Sequence, residues 1–210
     1  MTLMPTETVT LGEHQLLPGS IVIPDEPGRV LYTREFLEFL EKTGILSGRY
    51  ELLDGEIISK MGQNSPHNIT VIACISYLLG VFPQRRVRSQ ATITVKQDQK
   101  INSPEPDAFV LREPTLEGAP EATNVLLAIE VSDTTQEKDF ETKKELYARS
   151  GISEYWAIDL PRRTLTVLRN PDTQAGVWGS TNTLSETQLV ASESAPDHPI
   201  VISELLPPVE

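Results

Sequence analysis

Apolar and polar positions along this chain fall into short blocks of helical or strand spacing, with Gly and Pro at most of the breaks. Residues 1–30 carry Pro5, Pro18, Pro24 and Pro27 and no sustained periodicity, which predicts an extended arm. A helix is expected from Thr33, an N-cap with Glu35 in the first turn. Its stripe is Phe36, Leu37 and Leu40, and Gly44 is its stop. Tyr50 to Ile58 reads as a hairpin around a two-residue Asp54-Gly55 turn. In that register Leu53 faces Glu56 and Glu51 faces Ile58, so Glu51 and Glu56 point to the same side.

Ser65-Pro66 is a helix start, with serine as N-cap and proline at the first helical position. The helix runs through Ile69, Ile72, Ile75 and Leu79 to about Gly80. Strands follow at about 87–96, 106–111 and 125–131, then a helix over 137–149 with Gly151 just past its end. Glu154 to Asp159 reads as a buried strand, a Pro161-Arg162-Arg163 turn leads to a strand over Leu165–Leu168, and a short segment closes at Ile202–Leu206. Helix, three strands, helix, strand is the order of an α/β layered domain around a mixed sheet. At 210 residues the chain fits one domain over 31–210 behind the arm.

Composition, with 39% hydrophobic and 23% charged residues, is that of a globular protein. No apolar run approaches the roughly 20 residues needed to span a bilayer, and the N-terminus lacks a signal-peptide pattern, so no membrane role is expected and the cytoplasm is the default compartment. One cysteine, Cys74, rules out an intrachain disulfide and a Cys-rich zinc site, and its apolar helical setting predicts an inert buried thiol. A net charge of −12 argues against a protein that coats nucleic acid. The charge is uneven, however. Residues 171–210 hold six acids and no Lys or Arg, whereas residues 85–100 hold Arg85, Arg86, Arg88, Lys96 and Lys100 against Asp98. That stripe suits either nucleic-acid contact or a solvated strand edge.

The chemistry lies in two carboxylates. Asp107, after Pro106, and Glu130, after Val125-Leu126-Leu127-Ala128-Ile129, each interrupt an apolar stretch of strand character. A buried acid is costly unless compensated, and a divalent metal is one compensator. If the two strands are neighbours, both acids converge at one sheet edge, where a hard cation needs one or two carboxylates plus waters and phosphate oxygens. On a helical wheel over 137–149, Lys143 falls between Tyr147 and Leu146 on the inward stripe marked by Phe140 and Tyr147. It is either snorkelling or aimed at a cleft, where it would contact a scissile phosphate or the attacking water. Asp139 could orient it at i, i+4 or simply favour the helix start. Two acids and a lysine suit metal-assisted phosphodiester hydrolysis.

Each of these residues also has a plainer reading. Asp107 could serve the turn beside two prolines, Glu130 could close a strand by an ion pair, and Glu51 and Glu56 could face solvent. His67, at a helix start, is more often a capping or surface residue, and Gln90 is a weak candidate for phosphate or water contact. His14, His67 and His198 are too scattered to suggest a zinc site, and no phosphate-binding glycine loop, dinucleotide fingerprint or Gly-x-Ser-x-Gly elbow is present.

Collinear stretches resemble the Uma-type family of putative restriction endonucleases, within the PD-(D/E)XK nuclease superfamily. They are Tyr-Glu-Leu-Leu-Asp-Gly-Glu-Ile-Ile from Tyr50, Ser-Pro-His from Ser65 and Pro-Asp-Ala-Phe-Val from Pro106. Ile-Glu-Val-Ser-Asp-Thr-Thr from Ile129, the Asp139, Lys143, Tyr147 spacing and Gly-Ile-Ser-Glu-Tyr-Trp-Ala-Ile-Asp from Gly151 complete the set. The resemblance spans about residues 30–206. It implies a restriction-endonuclease-like mixed-sheet core with an N-terminal helix and hairpin, and Mg²⁺- or Mn²⁺-dependent cleavage of DNA. Asp107 then corresponds to the superfamily's metal-binding aspartate and Glu130 to the acid of its Glu-x-Lys element. The chain departs from the pattern at Ser132, where the superfamily has lysine, and Lys143 is its replacement from the next helix. Glu51, ahead of Glu56, corresponds to the additional glutamate of the superfamily. Cutting both strands of a duplex would favour a homodimer.

Two rivals stand beside this reading. One is a catalytically silent nuclease-fold module for binding or interaction, which the net charge favours. The other is a carboxylate-pair hydrolase acting on sugars, which would need no metal and is disfavoured by an aromatic content of 6%.

Overall fold

Short antiparallel pairs dominate the first part of the chain in the computed structural model. The structure describes residues 10–11, 14–15, 20–22, 30–59, 64–95, 102–133 and 137–208. Strands β1 (Thr10–Leu11) and β2 (His14–Gln15) pair with each other, and β3 (Ser20–Val22) pairs with β4 (Val30–Tyr32). The rest of the arm expected over 1–30 lies outside the described residues. Helix α1 (Arg34–Lys42) follows, capped as expected, with the Phe36 N–H donating to Thr33 Oγ1 at 3.3 Å. Strands β5 (Tyr50–Leu53) and β6 (Glu56–Ser59) form the hairpin in the expected register, Glu51 opposite Ile58 and Leu53 opposite Glu56. Asp54 and Gly55 both take positive φ, 47° and 75°, as a two-residue hairpin turn requires. These elements belong to a compact unit of Met1–Met61 with Asp98–Pro104, and Gly62–Gln97 with Glu105–Glu210 form a second.

The second unit is built on a six-stranded mixed sheet. Helix α2 (Ser65–Val81) precedes β7 (Val87–Ser89), β8 (Ala108–Leu111) and β9 (Val125–Ser132). Helix α3 (Glu137–Arg149) then leads to β10 (Glu154–Asp159), β11 (Thr164–Asp172) and β12 (Val177–Ser185). The sheet order is β12-β11-β10-β9-β8-β7, antiparallel except for the central β9/β10 pair. A further pair, β13 (Leu189–Val190) and β14 (Ile200–Val201), follows. Helix, three strands, helix, strand is therefore borne out. The tail contributes more than its weak strand signals suggest, because β12 is a full edge strand.

Three boundaries differ from the sequence expectation, each for a local reason. Asn64, not Ser65, caps α2, its Oδ1 accepting from the His67 N–H at 3.1 Å, and serine becomes the first helical residue. Strand β7 stops at Ser89 because Gln90 takes φ 50°, which breaks the ladder. Strand β8 starts only at Ala108, since Pro104 and Pro106 have no N–H to give a ladder.

The two faces of the sheet receive different helices. Val71, Cys74 and Leu78 of α2 pack in one cluster with Leu127, Ile129, Trp156 and Ile158. Tyr147 of α3 meets Tyr155 edge-on, with ring centroids 5.1 Å apart. Tyr155 and Trp156 are adjacent strand residues, so α2 and α3 lie on opposite faces. On the α2 side sits Glu154, 1% exposed. Its Oε1 accepts from Trp156 Nε1 and from Nε and Nη2 of Arg169, at 2.9, 2.9 and 2.7 Å. Its Oε2 accepts from Ser192 Oγ and the Glu193 N–H, at 2.7 and 2.9 Å.

Candidate active site

Asp107 stands just ahead of β8 and is buried although it lies outside the strand. Ala108 pairs with Ile129, so one step back along the same register sets Asp107 beside Glu130. The Asp107 side chain continues the pairing that its backbone does not make. Oδ2 accepts from the Val131 N–H at 2.9 Å, while the backbone carbonyl of Asp107 accepts from Ser89 Oγ at 2.9 Å. His67 Nε2, from the first turn of α2, is 3.3 Å from the same Oδ2.

Glu130 points to the face of the sheet that carries Ala128 and Tyr155. Lys143 and Tyr147, one turn apart on α3, both reach its Oε1. The ammonium lies 3.1 Å away and the phenol donates at 2.6 Å. Lys143 is 3% exposed, so it does not snorkel; its charge ends on Glu130. Glu130 thus lies in β9 and Asp107 just ahead of the adjacent β8, each with a basic side chain beside it, and the bases come from helices on opposite faces.

A family model described as Uma2, putative restriction endonuclease, matches residues 35–198. The chain belongs to the Uma2 family. A crystal structure described as that of a putative nuclease from Anabaena variabilis is similar, with a TM-score of 0.58 at 22% identity, covering 79% of this chain and 96% of that one. At that identity the likeness is one of fold, and it bears out the mixed α/β, nuclease-like core. No curated protein matches the chain.

The remaining residues named from the sequence sort themselves by place. In this Uma2 protein Glu51 is buried in β5 of the first unit, whereas Glu56, opposite Leu53, is exposed. The side chain of Asp139 lies outside the described residues. The backbone N–H of Gln90 bonds to the carbonyls of Pro106 and Asp107. Of the basic stripe, Arg86 Nε donates to the Leu111 carbonyl, and Arg88 donates to the carbonyls of Arg85, Val87 and Thr115. Those guanidiniums brace the β7 edge, while Lys96 and Lys100 lie outside the described residues. Cys74 is buried as expected, its thiol pushed up to about 12 by burial and then by the Asp107 carboxylate. Among the described residues no helix is long and apolar enough to cross a membrane.

Sequence reasoning treated Tyr147 as a marker of the apolar direction and missed its hydroxyl. The available signal was its i, i+4 spacing from Lys143, which places both polar tips on one stripe. Among the described residues no three His, Cys, Asp or Glu side chains gather as a metal-binding group. The donors at the sheet edge are two carboxylates, a set that suits a hard cation otherwise bound by water and phosphate oxygens.

Proposed function

We propose that this Uma2 protein is a metal-dependent endonuclease that hydrolyses DNA phosphodiester bonds. Asp107 and Glu130 would hold Mg²⁺ or Mn²⁺, and Lys143 is the cationic partner. The observation that carries the reading is the ammonium of Lys143 at 3.1 Å from Glu130, the residue opposite Asp107 when the β8/β9 register is extended by one step. A lysine supplied by a helix reaches the acid whose own strand has Ser132 in place of one. When bound, the metal supplies charge stabilisation at the phosphate and a more acidic water. Lys143 adds positive charge for the scissile phosphate or orients the attacking water, and Tyr147 fixes the Glu130 carboxylate by its hydrogen bond. Glu51 enters as an additional acid from the family resemblance alone. A homodimer would supply two such centres for the two strands of a duplex.

Plasmid cleavage tests this reading. Supercoiled DNA incubated with Mg²⁺ or Mn²⁺ should be nicked or linearised, and excess chelator should stop the reaction. Lys143→Met should lower the rate by about 10² or more, the usual scale for a preorganised charge at a transition state. Cutting that persists at full rate under chelator, or in the Lys143→Met protein, would sink the reading.

The net charge of −12 supports a second reading, a nuclease-fold module that binds without cutting. It predicts DNA or protein binding that is indifferent to Mg²⁺ and to Lys143→Met.

A further inference from the structure

We infer that His67 is a positioning residue for Asp107, holding its carboxylate in a fixed orientation from the first turn of α2. The inference rests on the reading of Asp107 as a metal-holding carboxylate. Its geometry starts with the helix cap. Asn64 Oδ1 takes the His67 N–H at 3.1 Å, and Pro66 fixes the preceding φ, so the backbone that carries the imidazole is pinned. The ring then turns inward and is 8% exposed, with Nε2 at 3.3 Å from Oδ2, the long end of hydrogen-bonding range.

Asp107 needs such support because no strand contains it. Its Oδ2 is met from β9 by the Val131 N–H and from α2 by His67, two contacts from two separate elements. A single contact leaves a carboxylate free to pivot about it, and a second from another direction fixes its plane. That is the usual office of a hydrogen-bonding partner behind a metal-binding carboxylate. A neutral imidazole with its proton on Nε2 suffices, so no change of charge is involved. Two turns along the same inward stripe, Cys74 feels the Asp107 charge. The His67 contact puts the carboxylate against the same inner side of α2. The commoner role for a buried histidine, filling the core, would leave its pairing with Asp107 without consequence, and this difference can be measured.

Mn²⁺ titration by calorimetry on the full chain compares wild type with His67→Leu, which keeps the bulk but not the donor, and with His67→Gln, which keeps an N–H. Leucine should weaken Mn²⁺ binding by about tenfold or more, and glutamine should restore most of it. On plasmid DNA the leucine variant should lose kcat at fixed Mn²⁺ with KM for DNA unchanged. Equal Mn²⁺ affinity in wild type and His67→Leu, with only the melting temperature altered, would overturn the inference. If the leucine variant does not fold, His67→Asn decides, since it is polar but too short to reach Oδ2; a folded Asn variant with wild-type affinity also overturns it. Asp107→Ala separates the two levels. If that variant binds Mn²⁺ as wild type does, the metal-site reading falls and takes the role of His67 with it. If it abolishes binding while His67→Leu does not, only the role of His67 falls.

Discussion

Two acidic clusters sit on one sheet and are built on opposite principles. Around Glu154 a single acid receives fixed donors on both oxygens: an indole N–H, a guanidinium, a hydroxyl and a backbone N–H. These donors come from β10, β11 and residues 192–193, so the carboxylate ties the β11 side of the sheet to the segment after β13. Around Asp107 and Glu130 the acids stand at the end of the β8/β9 ladder, and His67, Lys143 and Tyr147 reach them from two helices. The first cluster satisfies one buried charge where it stands. The second places two acids near one another at the end of the sheet and sets a basic side chain against each.

The largest expected effect comes from breaking the structural cluster. Glu154→Ala leaves Arg169 beside a void and strands the indole, hydroxyl and amide donors. It should cost about 3–5 kcal/mol, the usual penalty for removing one partner of a buried pair. Urea unfolding would measure it, and metal affinity per folded molecule should not change. If Glu154→Ala were as stable as wild type, the contrast between the clusters would collapse.

The next test makes matching apolar replacements in both. Made in a Tyr147→Phe background, so that no hydroxyl loses its acceptor, Glu130→Leu with Lys143→Met removes a pair together and should leave stability unchanged or raise it by up to about 4 kcal/mol, while abolishing metal-dependent cleavage. Glu154→Leu with Arg169→Met should destabilise instead, because Trp156 Nε1, Ser192 Oγ and the Glu193 N–H lose their acceptor. Equal stability changes in the two double variants would mean that the clusters do not differ in kind.

A smaller effect is expected from Tyr147→Phe, which deletes one hydroxyl and its 2.6 Å bond to Glu130. The cost in stability should be about 1 kcal/mol. Because Lys143 still holds Glu130, cleavage should fall less than in Lys143→Met. A Tyr147→Phe enzyme as impaired as Lys143→Met would make the phenol, rather than the ammonium, the principal partner of Glu130.

The sequence made the acids legible but not all of their surroundings. Periodicity located β9, and a carboxylate after five apolar residues stood out as Glu130. The helical wheel turned Lys143 inward, and the structure puts its ammonium on that same acid. The Asp-Gly turn gave the hairpin register, because two positive φ values admit few alternatives. Less legible were features that depend on long-range pairing. The contact of His67 with Asp107 spans two elements far apart in sequence, and no local pattern encodes it. The donors to Glu154 likewise come from residues up to 39 positions away. Strand ends were misread where a backbone special, Gln90, or a pair of prolines cut the ladder short. The length of β12 was hidden because a polar edge strand of Ser, Thr, Asn and Gly carries almost no hydrophobic alternation.

The smallest effect reads the charge of Asp107 from within. The Cys74 thiol is pushed up to about 12 from its usual 9.0, mainly by burial and secondly by that carboxylate. A folded value above the unfolded one means that the native state holds the proton between about pH 9 and pH 12, where the unfolded chain releases it. The stability tied to this group is therefore fully present below pH 9 and is lost as pH rises towards 12. Cys74→Ala should flatten the decline of unfolding free energy measured across that window. Asp107→Asn removes the second cause while leaving burial in place, so thiol alkylation at pH 10 should quicken modestly. Glu154→Gln, which alters the other cluster, should leave the rate unchanged. Were Glu154→Gln to quicken alkylation as much as Asp107→Asn, the thiol would be reporting general loosening of the fold, and the claim that the charge of Asp107 faces α2 would fail.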